Sequence, residues 1–390
     1  MDFRLTPAEQ SFREEVRDFI RQELPADWEG AGPYGDEGGG STAELGRRVT
    51  KKLAERKWLA MAWPEEYGGL GASHMQQLIY NEEMSYNGVP GAGNMGVAWV
   101  GPAIMLYGTD EQKQRFLPRI TSGEDVWCTL YSEPSAGSDL ASLETRAVQD
   151  GDDFVLNGQK IWTSGARRSQ WGWLAARTDT DAPKHKGIST FVVPMDAPGI
   201  TIRPLVNMAG QSGFNEVFFD NVRIPKDCLV GELNRGWYQV AVALDFERSG
   251  IQTYAGARRT LEWLTSFVSE RPESVRRNPQ VRMRLADRFV ELAAGTNIAY
   301  RIPWMQSRGT IPNYEASISK LFGSELIQRV ALTGVQLLGL FSGLAPDGRW
   351  APLNGRIERL YLTAVASTIA AGTSEIQRGI IAMRGLGLPR

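Results

Sequence analysis

The spacing of apolar positions changes twice along the chain and marks off three blocks. In the first, Phe12, Val16, Phe19 and Ile20 recur at i, i+4, i+7 and i+8, the stripe of an amphipathic helix. Thr6 as N-cap, Pro7 at the first helical position and Glu9 at the third give its start a capping-box pattern. Further helices are predicted over roughly 42–57, 73–87 and 110–121, with a loop through the glycines of 30–40 and PEEYGGLG (Pro64 to Gly71) as a turn-rich connector. From about 125 to 230 short apolar runs alternate with turn residues. Phe154-Val155-Leu156 and Ile161-Trp162 flank Asn157-Gly158, which predicts a hairpin turn at that dipeptide. Ser189 to Val193, Ile200 to Ile202 and Glu216 to Phe219 continue the strand pattern. After Pro225 the helical period returns and runs to the C-terminus, with breaks predicted near 272–279, 309–313 and 342–354. The pattern is a helical block, a β block and a second helical block.

Composition narrows what such a chain can do. At 390 residues it exceeds the size at which one hydrophobic core usually keeps growing, so two or three domains are expected. With 43 Lys and Arg against 45 Asp and Glu, both signs interspersed, it lacks the single-sign field of a nucleic-acid or anionic-membrane binder. The charge-free apolar stretch Val330 to Pro346 is shorter than the ~20 residues of a span and carries Gln336, so no membrane span is expected. The start MDFRLTPAEQ has no basic region followed by an apolar one, and a reducing, cytoplasmic location is the expectation. Cys128 and Cys228 are too few for a disulfide scaffold and form no CxxC pair. His74 and His185, far apart and in loop-like sequence, read as surface or structural residues and leave little for His-based metal sites or triads. The run GDEGGGS at 35–41 is neither a P-loop nor a dinucleotide fingerprint and reads as a flexible loop. A redox role therefore needs a cofactor held without those loops.

Three segments could carry chemistry. In ALDFERSGIQ, Val240, Leu244, Glu247 and Ile251 fall at i, i+4, i+7 and i+11, which places Glu247 within an apolar stripe. Desolvation there disfavours the charged carboxylate and moves its pKa up, toward the range of a general base. The alternative is a slightly rotated stripe with Glu247 solvated or paired across helices; Asp245 and Arg248 are an i, i+3 pair with a plain structural reading. The second is YSEPSAGSD (Tyr131 to Asp139) with KIWTSGA (Lys160 to Ala166). A Ser/Gly-rich turn after a strand can offer N–H groups and hydroxyls to an anion or a heterocycle edge, and Trp162 a flat apolar face; singly, each is more often a turn and a core Trp. The third is AAGTSEIQRGII, where Thr373 as N-cap with nearby Glu375 is a sufficient structural explanation, although a helix N-terminus is also a natural phosphate site.

Taken in order, PEEYGGLG, YGTDEQKQRFLP, SEPSAGSD, GQKIWTSGA, FFDNVRIP and GTSEIQR resemble the acyl-CoA dehydrogenase family over essentially the whole chain. The resemblance implies an α+β, mainly α fold: an N-terminal helical domain (1–124), a middle β-barrel-like domain (125–232) and a C-terminal four-helix domain (233–390) that mediates tetramer formation. It implies FAD, with Tyr131 and Ser132 at the flavin pyrimidine edge, Trp162 against the ring system and Ser164 near N5. Ser138 would lie near the flavin pyrophosphate or the pantetheine of the acyl thioester, and Thr373 and Glu375 near the pyrophosphate or ribose. Arg248 would lie beside the thioester, with Asp245, Ala371 and Gly372 completing the substrate-binding set.

Two departures from the family pattern carry further expectations. Many members place the catalytic Glu immediately before the GTS of the C-terminal motif, where this chain has Ala371. Branches resembling isovaleryl-CoA and long-chain acyl-CoA dehydrogenases carry it in an ER dipeptide on another helix, and Glu247-Arg248 matches that location. The stripe and the resemblance thus converge on Glu247 as α-proton base, with the Ala371 N–H serving the thioester oxygen and an electron-transfer flavoprotein taking the electrons. The second departure lies where a neighbouring subunit meets FAD. The family's RxxFG becomes SERPESVRRNPQ, leaving Arg271 and Gln280, and its QxxGG becomes QLLGL, with Gln336 and Gly339 kept and Leu340 in place of the second Gly. This resembles the branch in which two different subunits form an α2β2 heterotetramer rather than a homotetramer. A non-catalytic or half-site subunit, a flavin oxidase and a dehydrogenase of carrier-protein-bound acyl groups are the competing readings.

Overall fold

The computed structural model describes residues 3–30, 41–243, 249–346 and 348–389. Helices α1 (Pro7–Glu23), α2 (Ser41–Glu55), α3 (His74–Tyr86), α4 (Gly101–Tyr107) and α5 (Asp110–Thr121) come first. Strands β1 (Trp127–Leu130), β2 (Arg146–Asp150), β3 (Asp153–Ser164), β4 (Trp171–Arg177), β5 (Ile188–Pro194), β6 (Ile200–Leu205), β7 (Phe214–Pro225) and β8 (Leu229–Val230) follow. The chain ends in α6 (Gly236–Ala243), α7 (Ile251–Ser269), α8 (Glu273–Arg276), α9 (Pro279–Gln306), α10 (Tyr314–Leu338), α11 (Arg356–Ala364) and α12 (Ser374–Ile380). These elements gather into two compact units, one of Met1–Pro33, Ala72–Val89 and Arg248–Arg390, the other of Tyr34–Gly71 and Pro90–Glu247.

The first unit is helical. α1 begins as its sequence predicts: the Thr6 side chain accepts from the Glu9 N–H while the Glu9 carboxylate accepts from the Thr6 N–H, and Val16, Phe19 and Ile20 are buried. Arg13 on α1 reaches Glu82 on α3 at 2.6 Å and the Tyr300 hydroxyl on α9 at 2.9 Å, so three helices share one polar clasp. α7, α9 and α10 enclose Ile251, Tyr254, Leu261, Leu264, Leu292, Leu326 and Val330. The helical stretch Tyr314–Gly343 is by length and composition apolar enough to cross a membrane. The charge-free window hid this, because it stopped at Arg329 and the helix tolerates a few charges. Here its apolar face lies in the core, with Leu326, Val330 and Ala331 buried.

The second unit is built on the sheet, ordered β6-β7-β3-β2-β4-β5-β8 with β1 pairing in parallel to β4. Its core joins Phe116 and Ile120 of α5, Val100 and Ile104, and the inward side chains of the strands, among them Phe154, Leu156, Trp173, Phe191 and Val217. Gly69, in the PEEYGGLG connector, passes so close to the backbone that an added Cβ would meet the Trp63 carbonyl oxygen at 2.0 Å.

Four sequence expectations need correction. Asn157-Gly158 is not a hairpin turn; both residues lie inside β3, where Asn157 Oδ1 accepts from the Asn221 N–H at 2.9 Å across a bulge in β7. The hairpin turns at Gly151 and Asp152, between the paired Asp150 and Asp153, because Gly151 supplies the positive φ of 64°. The helical period after Pro225 does not run on unbroken to the next predicted break: it is interrupted at Ser249 and Gly250, where Gly250 at φ 68° caps a new helix. His74 does not sit in a loop but opens α3 behind the capping box of Ser73 and Gln76. Residues 96–107, with no predicted element, form a π-turn (Gly96–Val100) running into α4.

Candidate functional site

In the sheet unit the two Ser-rich segments are brought together by a buried ion pair. Successive inward positions of β3 hold Phe154, Leu156 and, past Gly158, Lys160. Lys160 is fully buried, and its Nζ donates to Glu133 Oε1 at 2.8 Å and to the Tyr131 carbonyl at 3.0 Å. The same carboxylate accepts the N–H groups of Glu144 at 2.6 Å and Thr145 at 2.9 Å. The Ile161 N–H donates to the Ser132 carbonyl at 2.9 Å. Burial pulls the Lys160 ammonium down to about 8, against the opposing pull of Glu133. For Glu133 burial acts upward, but the charge and hydrogen bond of Lys160 and the bonds from Glu144 and Thr145 outweigh it and hold the carboxyl below its ordinary value. Neither residue stood out in the sequence. The available signal was a lysine at an inward strand position, which demands a carboxylate.

Trp162 follows two residues later. From Lys160↔Val217 to Thr163↔Asn215, β3 spends one residue more than β7, and Trp162 adopts φ 62° within that bulge. The bulge turns the indole outward, where it is 59% exposed with its ring edge against Phe214. A bulky aromatic held left-handed and largely in solvent is costly twice over, in backbone strain and in exposed apolar area, and such strain gathers at ligand sites. Thr163 beside it is buried with an unpartnered hydroxyl, while its carbonyl accepts from Asn215 Nδ2 at 2.9 Å. Ser164 ends the strand exposed, and Ser138 lies exposed in the loop after β1. The Tyr131 ring packs near Trp99, and its buried hydroxyl has no partner; burial pushes it well above the usual phenol range. Asp139, adjoining Ser138, pairs with Lys184 at 2.8 Å.

In the helical unit the GTS segment is shaped by two left-handed residues, Ala371 at φ 53° and Gly372 at φ 86°. Thr373 caps α12, its side chain accepting from the Ile376 N–H, as its sequence predicts. The Ala371 carbonyl accepts from Gln377 Nε2 at 3.1 Å, and the Gly372 carbonyl from Lys320 Nζ at 2.5 Å. Burial lowers the Lys320 pKa, and the charges of Glu325 and Glu375 oppose this. A pocket of about 540 Å³ lies here, lined by Thr373, Ser374, Glu375, Arg329 and Arg378 among others, and the buried Ser374 hydroxyl is unpartnered. Gln336 and Gly339 end α10 at the surface, where Leu340 is 99% exposed. Arg271, just past the end of α7, is exposed and folds back over the Phe267 ring of that helix at 4.0 Å, and Gln280 lies exposed in the first turn of α9. Glu247, Asp245 and Arg248 lie outside the described residues. Among the described residues no group of three or more His, Cys, Asp or Glu could hold a metal ion.

An exposed strained Trp beside a pinned Ser-rich turn and a left-handed loop before a short helix occur here in the order the motifs imply. Family models for the N-terminal, middle and C-terminal domains of acyl-CoA dehydrogenases match residues 6–124, 128–222 and 234–386. The chain belongs to the acyl-CoA dehydrogenase family. Acyl-CoA dehydrogenase IpdE1 of Mycobacterium tuberculosis is 36% identical over 384 residues, covering 98% of each chain. Acyl-CoA dehydrogenase FadE26 of the same organism is 36% identical over 401 residues, covering 99% of this chain and 98% of its own. Among solved structures, the "Tcur3481-Tcur3483 steroid ACAD" superposes with a TM-score of 0.88 at 36% identity, covering all of both chains. The ChsE4-ChsE5 complex from Mycobacterium tuberculosis superposes with a TM-score of 0.89 at 34% identity over the same extent. The chain is thus an oxidoreductase of this family, its fold is the α+β, mainly α fold of acyl-CoA dehydrogenases, and its cofactor is FAD.

Proposed function

We propose that this protein dehydrogenates an acyl-CoA thioester between Cα and Cβ, with a bulky, ring-bearing acyl group as the substrate class. The observation carrying the reading is Trp162, whose bulge-imposed left-handed backbone and 59% exposure have a purpose if a flat heterocycle covers the indole. The residues fit FAD. Trp162 offers the face, Tyr131, Ser132 and Ser164 surround it in sequence, and the unpartnered Thr163 and Ser374 hydroxyls are the kind of buried polar atoms a polar ligand satisfies. Thr373 and Glu375 remain assigned to the pyrophosphate or ribose, and Ser138 to the pyrophosphate or pantetheine. When bound, FAD accepts the β-hydride and passes the electrons on, in this reading to an electron-transfer flavoprotein.

The chain's own part is proton chemistry and orientation. Glu247 takes the α-proton as the Cα–Cβ double bond forms, giving the trans-2-enoyl thioester. The α-carbon is only weakly acidic until its carbonyl is polarised, so an N–H aimed at the thioester oxygen must stabilise the developing enolate. The Ala371 N–H, which makes no hydrogen bond among the described residues, is the proposed donor. Asp245, Arg248 and Gly372 complete the thioester end. Support for a ring-bearing acyl group comes from the names of the structural relatives, one a steroid acyl-CoA dehydrogenase.

A heterotetramer rather than a homotetramer is the proposed assembly. Leu340 in place of glycine is 99% exposed beside the half-exposed Phe341, and a solved relative is itself a complex of two named proteins. On this reading Arg271, Gln280, Gln336 and Gly339 face a partner's cofactor.

The test is a panel of butanoyl-, octanoyl-, 3-phenylpropanoyl- and steroid-side-chain acyl-CoAs mixed anaerobically with the flavin-loaded protein. Bleaching of the visible flavin band by the ring-bearing members supports the proposal. No bleaching by any member overturns it, and rapid reoxidation by air would point to an oxidase.

A further inference from the structure

Two adjacent side chains of α10 hold the two segments on which the proposed chemistry depends. Ser319 is fully buried, and its Oγ donates to the Ser249 carbonyl at 2.6 Å. Its own carbonyl accepts the Tyr254 hydroxyl at 2.7 Å. The Tyr254 ring packs close against two glycines, where a Cβ on Gly295 would meet it at 2.2 Å and one on Gly323 at 3.2 Å. Ser249, two residues after Glu247, is thereby fixed to α10.

Lys320, the next residue, donates to the Gly372 carbonyl at 2.5 Å, while Gln377 donates to the Ala371 carbonyl at 3.1 Å. Both peptide planes that follow Ala371 are therefore held by side-chain donors. A left-handed alanine is strained and persists only where its surroundings over-determine it. These two donors do so, and by fixing the Ala371 backbone at φ 53° they set the direction of its N–H. Gly372, at φ 86°, holds a conformation that a residue with a Cβ adopts only under strain.

We propose that Ser319 and Lys320 form a positioning pair. Ser319 anchors Ser249, two residues beyond Glu247, and Lys320, with Gln377, aims the Ala371 N–H at the thioester oxygen. The proposal rests on the reading of Glu247 and Ala371 given above. Neither residue of the pair touches the reacting atoms; each acts through the backbone it holds.

The experiment uses flavin-loaded holoenzyme in its native oligomer and two readouts. One is the red shift of bound cinnamoyl-CoA, which reports polarisation of the thioester carbonyl without turnover. The other is the rate of flavin bleaching by the fastest acyl-CoA of the panel. Lys320→Met should retain flavin, lose at least about half the red shift and bleach roughly 10- to 100-fold more slowly, below the loss expected for deleting an oxyanion donor outright. Lys320→Arg should restore much of both. Ser319→Ala should slow bleaching roughly tenfold with the red shift intact. A full red shift with bleaching within about twofold of the parent in Lys320→Met overturns the proposal. Should that variant fail to fold, Gln377→Leu removes the companion donor and is read the same way. Glu247→Gln separates the two levels: normal bleaching there sinks the base assignment, yet leaves the red-shift result for Lys320 standing.

Discussion

Replacing Lys160 by Met should strand a buried carboxylate and cost the sheet unit much of its stability. Lys160 and the Glu133 side chain are 0% and 4% exposed, and their 2.8 Å contact is supplemented by the bond from Lys160 to the Tyr131 carbonyl. Removing one partner of such a pair costs about 3–5 kcal/mol, because the other charge stays buried without compensation. Glu133 keeps two backbone donors, Glu144 and Thr145, which argues for the low end. The Tyr131 carbonyl loses a donor, adding about 1 kcal/mol. About 4 kcal/mol in a unit of this size lowers the unfolding midpoint by roughly 8–16 °C, measurable by differential scanning calorimetry.

The pH dependence gives the sign. In the parent, the folded-state pKa of Glu133 lies below its ordinary value, so its contribution is present at neutral pH and is lost as pH falls through that lowered value. In the variant burial acts on Glu133 without Lys160, so its folded pKa rises and acid relieves the penalty. The gap between variant and parent should therefore narrow as the pH drops from about 7 to about 5. Adding Glu133→Gln to Lys160→Met should cost less than the sum of the two single changes. A Lys160→Met protein that unfolds within about 1 °C of the parent, with a gap that pH does not alter, would refute the reasoning.

Other expectations follow from single positions. Trp162→Ala should leave the apo fold intact, since the indole is 59% exposed and little buried contact is lost, yet flavin should bind at least about tenfold more weakly by fluorescence titration. Equal flavin affinity in that variant would contradict the proposed face. Gly69→Ala should destabilise by more than about 3 kcal/mol in thermal unfolding, because its Cβ would lie 2.0 Å from the Trp63 carbonyl oxygen and backbone must shift. Thr6→Ala should cost only about 1 kcal/mol, the loss of one exposed N-cap bond.

Legibility in the sequence followed the range of the interactions. The Thr6 capping box, the α1 stripe, the strands of the middle block and the Thr373 cap depend on residues within a turn or two of each other, and pattern alone locates them. Asn157-Gly158 misled because a local turn preference was overridden by pairing with β7, whose bulge at Asp220 and Asn221 takes up the irregularity. The stripe through Glu247 assumed a periodicity that Gly250 interrupts, so the resemblance now bears more of that assignment than the spacing does. Lys160 and Glu133 are 27 positions apart, and Lys320 and Gly372 are 52 apart; neither contact has a local signature. Trp162 stood out by motif, but the bulge that turns it outward arises from a one-residue mismatch between two strands that composition does not encode.

The central claim is that Glu247 is the base of a flavin-dependent acyl-CoA dehydrogenation. Glu247→Gln, purified with its flavin and mixed anaerobically with the acyl-CoA that bleaches the parent fastest, tests it directly. The account predicts a yellow protein that still binds the thioester and whose flavin band does not bleach on the parent's timescale. Bleaching at the parent's rate would contradict it.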